Sequence, residues 1–229
     1  MKQSSLVLSL CAAAALSVAP AGADETNSPF KGLYVGLHLG YSWQDVAGTF
    51  DNLGTATNLS GIDLDSAIIG GQLGYNIKTG MVVVGIEGDA TAHTDSSDSV
   101  INNTPPIYQQ LTGDVAYLAS VRGRLGVVVD EVMYFATVGI GFTEFKFTEN
   151  APATPFLGSL RLQESGVVYG GGVEWKIIEG VTLRGEYLHY DVGGITYIPA
   201  GFPAADPGDY IKYNDIDVAR AAVNISLEP

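Results

Sequence analysis

Residues 115–142 read VAYLASVRGRLGVVVDEVMYFATVGIGF. Val115, Tyr117, Ala119, Val121, Leu125 and Val127 fall on one parity, with Ser120, Arg122 and Arg124 on the other. A tight turn near Val129-Asp130 follows. Val132, Tyr134, Ala136, Val138, Ile140 and Phe142 then continue the pattern. A helix would group its apolar residues at spacings of three and four. Alternation at period two is the signal of a strand with two unlike faces, and the turn makes the pair a hairpin.

The pattern recurs on both sides. Leu33, Val35, Leu37, Leu39, Tyr41 and Trp43 form one apolar set, interleaved with Tyr34, Gly36, His38, Gly40 and Ser42. Ala67, Ile69, Leu73, Tyr75 and Ile77 form a second, ended by a Thr79-Gly80 turn. Val82, Val84, Ile86, Ala90 and Ala92 form a third, against Glu87 and Asp89. After the opening hairpin come Val167, Tyr169, Val173 and Trp175, against Glu174 and Lys176. Val181, Leu183 and Tyr187 stand against Arg184 and Glu186, and Ala219, Ala221, Val223, Ile225 and Leu227 against Arg220 and Asn224. That makes eight strands.

Their connections alternate strictly. Those near 79–80, 129–131 and 178–180 are short; those at 45–64, 94–113, 148–162 and 194–214 are long. A membrane barrel sorts its connections this way, with short periplasmic turns and long extracellular loops. The expected fold is an all-β, eight-stranded antiparallel up-and-down transmembrane β-barrel with both termini in the periplasm.

Charge decides which face meets lipid. The mixed faces carry Glu87, Asp89, Arg122, Arg124, Glu174, Lys176, Arg184, Glu186 and Arg220. That is too much for a soluble apolar core, so the apolar faces point outward. Aromatic residues on them then form two girdles. Tyr75, Tyr134 and Trp175 lie near the short turns; Tyr41, Trp43, Tyr117, Phe142, Tyr169 and Tyr187 lie near the long loops. From Tyr134 to Phe142 is about 26 Å along a strand. Tilted by about 40°, this gives roughly 20 Å of height, near the apolar band of an outer membrane.

The nine interior charges are expected to form a network that plugs the lumen, because buried charges persist only when paired. An eight-stranded barrel is just wide enough for side chains to fill. A turn centred on Glu179 sets Glu174 opposite Arg184. The Thr79-Gly80 turn sets Gln72 opposite Glu87, and Arg122 and Arg124 are the expected cations for Glu87 and Asp89. A narrow ion path along the same residues is the alternative.

Composition bounds the rest. The chain has 229 residues, 46% hydrophobic and 16% charged, with a net charge of -14 and one cysteine. The apolar content excludes a disordered chain. The acidity argues against nucleic acid as a partner. A single cysteine excludes a disulfide framework and a Cys-based zinc site. Met1-Lys2, the apolar run Leu6 to Val18 and Ala21-Gly22-Ala23 read as a signal peptide over 1–23, leaving 24–229 as the barrel domain. Leu8-Ser9-Leu10-Cys11 is a poor lipoprotein box, since Leu10 is bulky where a small residue is required. No phosphate loop, metal spacing or nucleophile elbow is present, and His38, His93 and His189 are far apart. No catalysis, cofactor or metal is expected. The long loops carry Asp45, Asp51, Asp63, Asp95, Asp98, Asp206 and Asp209, an acidic outer surface.

Four segments resemble the small outer-membrane barrel proteins of Gram-negative bacteria known as the Omp25/Omp31-like porin family. They are Phe30 to Gly36 with Leu39-Gly40-Tyr41; Gly70 to Asn76; Ser120 to Gly126; and Gly170 to Trp175 with Leu183 to Leu188. The resemblance spans the mature barrel. It implies a bacterial outer-membrane location, export through the periplasm, and roles in envelope integrity and surface antigenicity, with host or haem contact in some members. Family chains usually end in an aromatic residue read by the assembly machinery; here Leu227 takes that place, followed by Glu228-Pro229. The expected partners are outer-membrane lipid, lipopolysaccharide and that machinery, and the expected state is a monomer. A structural, surface-exposed envelope protein is the leading expectation. A small-solute porin channel and a loop-mediated adhesin or haem-binding protein are the alternatives.

Overall fold

The computed structural model describes residues 28–52, 55–94, 98–102, 109–151, 156–197 and 210–227. The proposed signal peptide and Glu228-Pro229 lie outside them. The strands are β1 (Gly32–Trp43), β2 (Asp45–Asn52), β3 (Thr55–Asp63), β4 (Ser66–Thr79), β5 (Val82–His93), β6 (Asp98–Asn102) and β7 (Gln109–Val129). They continue with β8 (Val132–Ala151), β9 (Phe156–Ile178), β10 (Val181–Asp191), β11 (Gly194–Tyr197), β12 (Tyr210–Tyr213) and β13 (Ile216–Ser226). Eight of them, β1, β4, β5, β7, β8, β9, β10 and β13, close into an antiparallel barrel. Closure runs through β5 with β7, and through β1 with both β4 and β13. No barrel strand is thereby left with an open edge, as a lipid environment demands.

The short turns are Gly80-Met81, Asp130-Glu131 and Glu179-Gly180. Gly80 (φ 57°), Asp130 (φ 56°) and Gly180 (φ 72°) supply the left-handed residue that two-residue hairpins require. The first turn sits one residue later than Thr79-Gly80, so partners shift by two. Gln72 lies opposite Asp89, and Glu87 opposite Gly74.

The long connections are more ordered than loops. β7, β8 and β9 extend far past the outer girdle, with Ala151 still paired to Phe156 and with β6 added beside β7. β11, β12, β2 and β3 form a separate four-stranded sheet. Their sequences, rich in Gly, Asn, Thr and Asp, hid this, because no sustained period-two alternation of apolar residues runs through them.

The faces divide as the alternation requires. The apolar residues of both girdles and the band between them are exposed on the barrel wall. Val115 is the exception: it is buried, because a bulge between Val115 and Tyr117 turns it inward.

Candidate functional site

Three oppositely charged pairs stand directly across neighbouring strands on the lumen face: Glu87 with Arg122, Glu186 with Arg220, and Glu174 with Arg184. The third is the pair expected from the turn at Glu179. Such pairs are the unit of cross-strand stabilisation. Closing the barrel brings all three, with Asp89 and Arg124, into one belt of four carboxylates and four guanidiniums.

The belt has two tiers joined by Glu87. In the outer tier, Arg122 donates to Asp89 at 2.9 Å and to Glu186 at 2.8 Å. Arg220 donates to Glu186 at 2.8 Å and to Asp89 at 3.2 Å. In the inner tier, Arg124 and Arg184 donate to Glu174 at 2.8 and 3.2 Å. Glu87 accepts from Arg122 at 2.5 Å, from Arg184 at 2.6 Å and from the Tyr34 hydroxyl. All eight charged residues are buried. Ser120 donates to Asp89, and Thr182 to Glu174, both at 2.5 Å. The remaining lone pairs are thus largely met, which is the condition for keeping charges in a low-dielectric interior. Lys176, the ninth expected member, is half-exposed beside the periplasmic turns and takes no part. Its loss leaves the belt neutral.

A chain of neutral groups extends the belt outward, and chemistry fixes its direction. The Glu174 carboxylate only accepts, so the Asn224 amide donates to it at 2.9 Å. Asn224 Oδ1 then accepts from Gln72 Nε2 at 2.5 Å. Gln72 Oε1 faces His38 Nδ1 at 3.2 Å, which places the ring proton there. His38 Nε2 lies 2.9 Å from the Thr91 hydroxyl. His38 therefore carries a proton on Nδ1, inside the lumen as expected. His93 and His189 lie at outer strand ends, bonded to Ser42 at 3.1 Å and Asp217 at 2.7 Å.

Sequence reading missed the apolar parts of the interior. Toward the outside, Ile68, Val115, Leu118, Phe145, Val168, Leu188, Tyr190, Ile216 and Val218 form a buried cluster that reaches Val46, Leu64, Val192 and Tyr213. Toward the periplasm, Phe30, Val83, Met133 and Phe135 form a second. The Arg124 guanidinium sits 4.4 Å from the Phe135 ring centre, so this cluster abuts the belt. The available signal was aromatic and branched residues on the mixed parity: Tyr34, Phe135, Leu188, Tyr190. The interior therefore runs apolar, charged, apolar along the barrel axis.

The nine girdle residues all face outward, each 38–56% exposed. Of the acidic loop positions, Asp45 is exposed, and the side chains of the other six lie outside the described residues. Among the described residues no group of three or more His, Cys, Asp or Glu has the arrangement of a metal site.

The 25 kDa outer-membrane immunogenic protein of Brucella abortus is 27% identical over 174 residues, covering 75% of this chain and 70% of the relative. The 31 kDa outer-membrane immunogenic protein of Brucella melitensis is 28% identical over 185 residues, covering 76% of each. A 22 kDa outer membrane protein of Rhizobium leguminosarum is 29% identical over 210 residues, covering 88% of this chain and 82% of the relative. In three dimensions the barrel is similar to the outer membrane protein OprG from Pseudomonas aeruginosa, with a TM-score of 0.55 at 10% identity over 86% of this chain and 97% of the other. Residues 6–221 match the family described as outer membrane protein beta-barrel domain. With a closed eight-stranded barrel, an apolar outer wall and relatives of the 25 and 31 kDa type, the chain belongs to this family of outer-membrane β-barrel proteins.

Proposed function

We propose that this chain is a monomeric, surface-exposed structural protein of the outer membrane that works without catalysis or cofactor. Its wall contacts lipid and lipopolysaccharide, and the assembly machinery inserts it. The observation that carries this reading is the filled interior. A solute path must cross a layer of buried, mutually bonded charges and two apolar clusters. Moving any belt arginine off the axis leaves a carboxylate unpaired in low dielectric, which is strongly unfavourable. The words "outer-membrane immunogenic protein" in the names of relatives fit exposure at the cell surface.

A small-solute channel is the competing reading, and electrical recording separates the two. Purified, refolded protein in planar bilayers is expected to give no steady conductance steps. Reproducible nanosiemens-scale openings at low voltage would establish the channel instead.

A further inference from the structure

The periplasmic end of the plug includes a piece of chain outside the barrel ladder. Residues 28–31 form a β-turn, closed by the Lys31 N–H donating to the Ser28 carbonyl at 3.1 Å. Pro29 occupies the second position of the turn, where its fixed φ suits the geometry. The Phe30 N–H also donates to Ser28 Oγ at 3.4 Å. These bonds are local to the turn. Barrel pairing begins only at Gly32, opposite Asn76. Gly32 has φ 83°, a conformation other residues adopt only under strain. Phe30 is 2% exposed and packs with Val83, Met133 and Phe135.

We propose that residues 28–32 are a detachable strap, a preformed turn that closes the periplasmic mouth with the Phe30 ring and opens about Gly32 without unpairing any barrel strand. The inference rests on the plugged-lumen reading and adds where the plug gives way. A segment whose described hydrogen bonds are all within its own turn, and whose one buried side chain is Phe30, opens far more readily than one held by a hydrogen-bonded ladder. Strap release wets the lower cluster, and Arg124, whose guanidinium stacks on Phe135, lies directly behind it. The outer cluster stays shut, so release exposes the belt from one side only.

The chain holds a single cysteine, Cys11, so a thiol reporter reads cleanly once that residue is changed to serine. Val83→Cys places the reporter in the lower cluster, and Val168→Cys places a control in the outer one, both at positions of 0% exposure. Refolded protein is treated with a membrane-impermeant thiol reagent. Phe30→Ala is expected to speed modification of the lower reporter at least tenfold and to leave the outer control unchanged. Gly32→Ala, which perturbs the hinge without touching the cluster, is expected to act in the same direction. Equal rates at the lower reporter with and without Phe30 would overturn the strap, as would parallel acceleration at both positions. Channel openings in the unmodified protein would instead overturn the plugged-lumen reading, since thiol reactivity does not depend on conductance.

Discussion

Glu87→Gln tests whether the belt acts as one charge-balanced unit. Glu87 receives Arg122 at 2.5 Å and Arg184 at 2.6 Å, and Arg124 and Arg220 each lie 3.7 Å away. The amide keeps the shape but removes the charge, leaving four buried guanidiniums facing three carboxylates. Breaking a buried pair in this way costs about 3–5 kcal/mol. That is two to four orders of magnitude in the folded-to-unfolded ratio, at about 1.36 kcal/mol per tenfold. Arg122→Met alone is expected to cost a similar amount, because it strips one partner each from Glu87, Asp89 and Glu186. The double variant restores three against three. Asp89 and Glu186 keep Arg220, and Glu174 keeps Arg124 and Arg184. Its cost is therefore expected to fall short of the sum of the single variants by about 0.5–3 kcal/mol, the range found for groups in one network. The assay is urea unfolding in lipid vesicles, scored by heat-modifiable gel migration and tryptophan fluorescence. A single variant within about 1 kcal/mol of the parent, or strict additivity in the double, would refute the claim that these charges are dry and coupled.

Two further outcomes follow from the wall. A Cβ added at Gly139 would stand 2.0 Å from the Val121 carbonyl oxygen, whereas at Gly71 it would meet nothing nearer than 3.6 Å. Gly139→Ala is thus expected to lower folded yield sharply, with Gly71→Ala within about 0.5 kcal/mol of the parent; comparable yields for the two would contradict the lumen packing. Val138 lies midway between Tyr134 and Phe142 on the lipid face. Val138→Arg is expected to cost about 2–4 kcal/mol in vesicles, against about 0.5 kcal/mol or less for Lys176→Gln at the half-exposed rim; the reverse ranking would mean the faces are misassigned.

The eight barrel strands, their outward faces and both girdles were legible, because a wall between lipid and a filled lumen forces strict alternation. The Glu174–Arg184 pair came out as expected although the turn is Glu179-Gly180, because a bulge between Val181 and Thr182 restores the register that a turn centred on Glu179 implies. The Gln72 pairing did not: one residue of error in a turn moves every partner by two, and Thr79-Gly80 and Gly80-Met81 differ little in composition. Val115 was misread because a bulge changes parity without changing residue type. The apolar clusters were missed for another reason. Leu118, Val168 and Leu188 share a parity with Arg122, Glu174 and Arg184, so reading each strand as one polar face averaged two zones into one. The boundary between them is set by height along the barrel, a coordinate that single-strand periodicity does not contain.

The same three-dimensional sorting locates the net charge. The belt holds four acids and four arginines and cancels, so the whole -14 lies outside it. At the periplasmic rim, Lys31, Lys78 and Lys176 balance Asp130, Glu131 and Glu179, while Lys2, Asp24, Glu25 and Glu228 lie outside the described residues. At and beyond the outer strand ends, fifteen acidic residues stand against Lys146, Arg161 and Lys212. Some of these acids are already engaged: Glu144 takes Arg161 at 3.1 Å, and Asp217 takes Tyr187 at 2.6 Å. The charge that remains is one-sided. Among the described residues the lumen and the inner rim are neutral and the outer strand ends are acidic, so the long-range field of the barrel acts at that outer end. Such a field disfavours polyanions and favours cations within a Debye length, about 8 Å at physiological salt. A polyanion approaching this surface would therefore meet repulsion unless cations came with it.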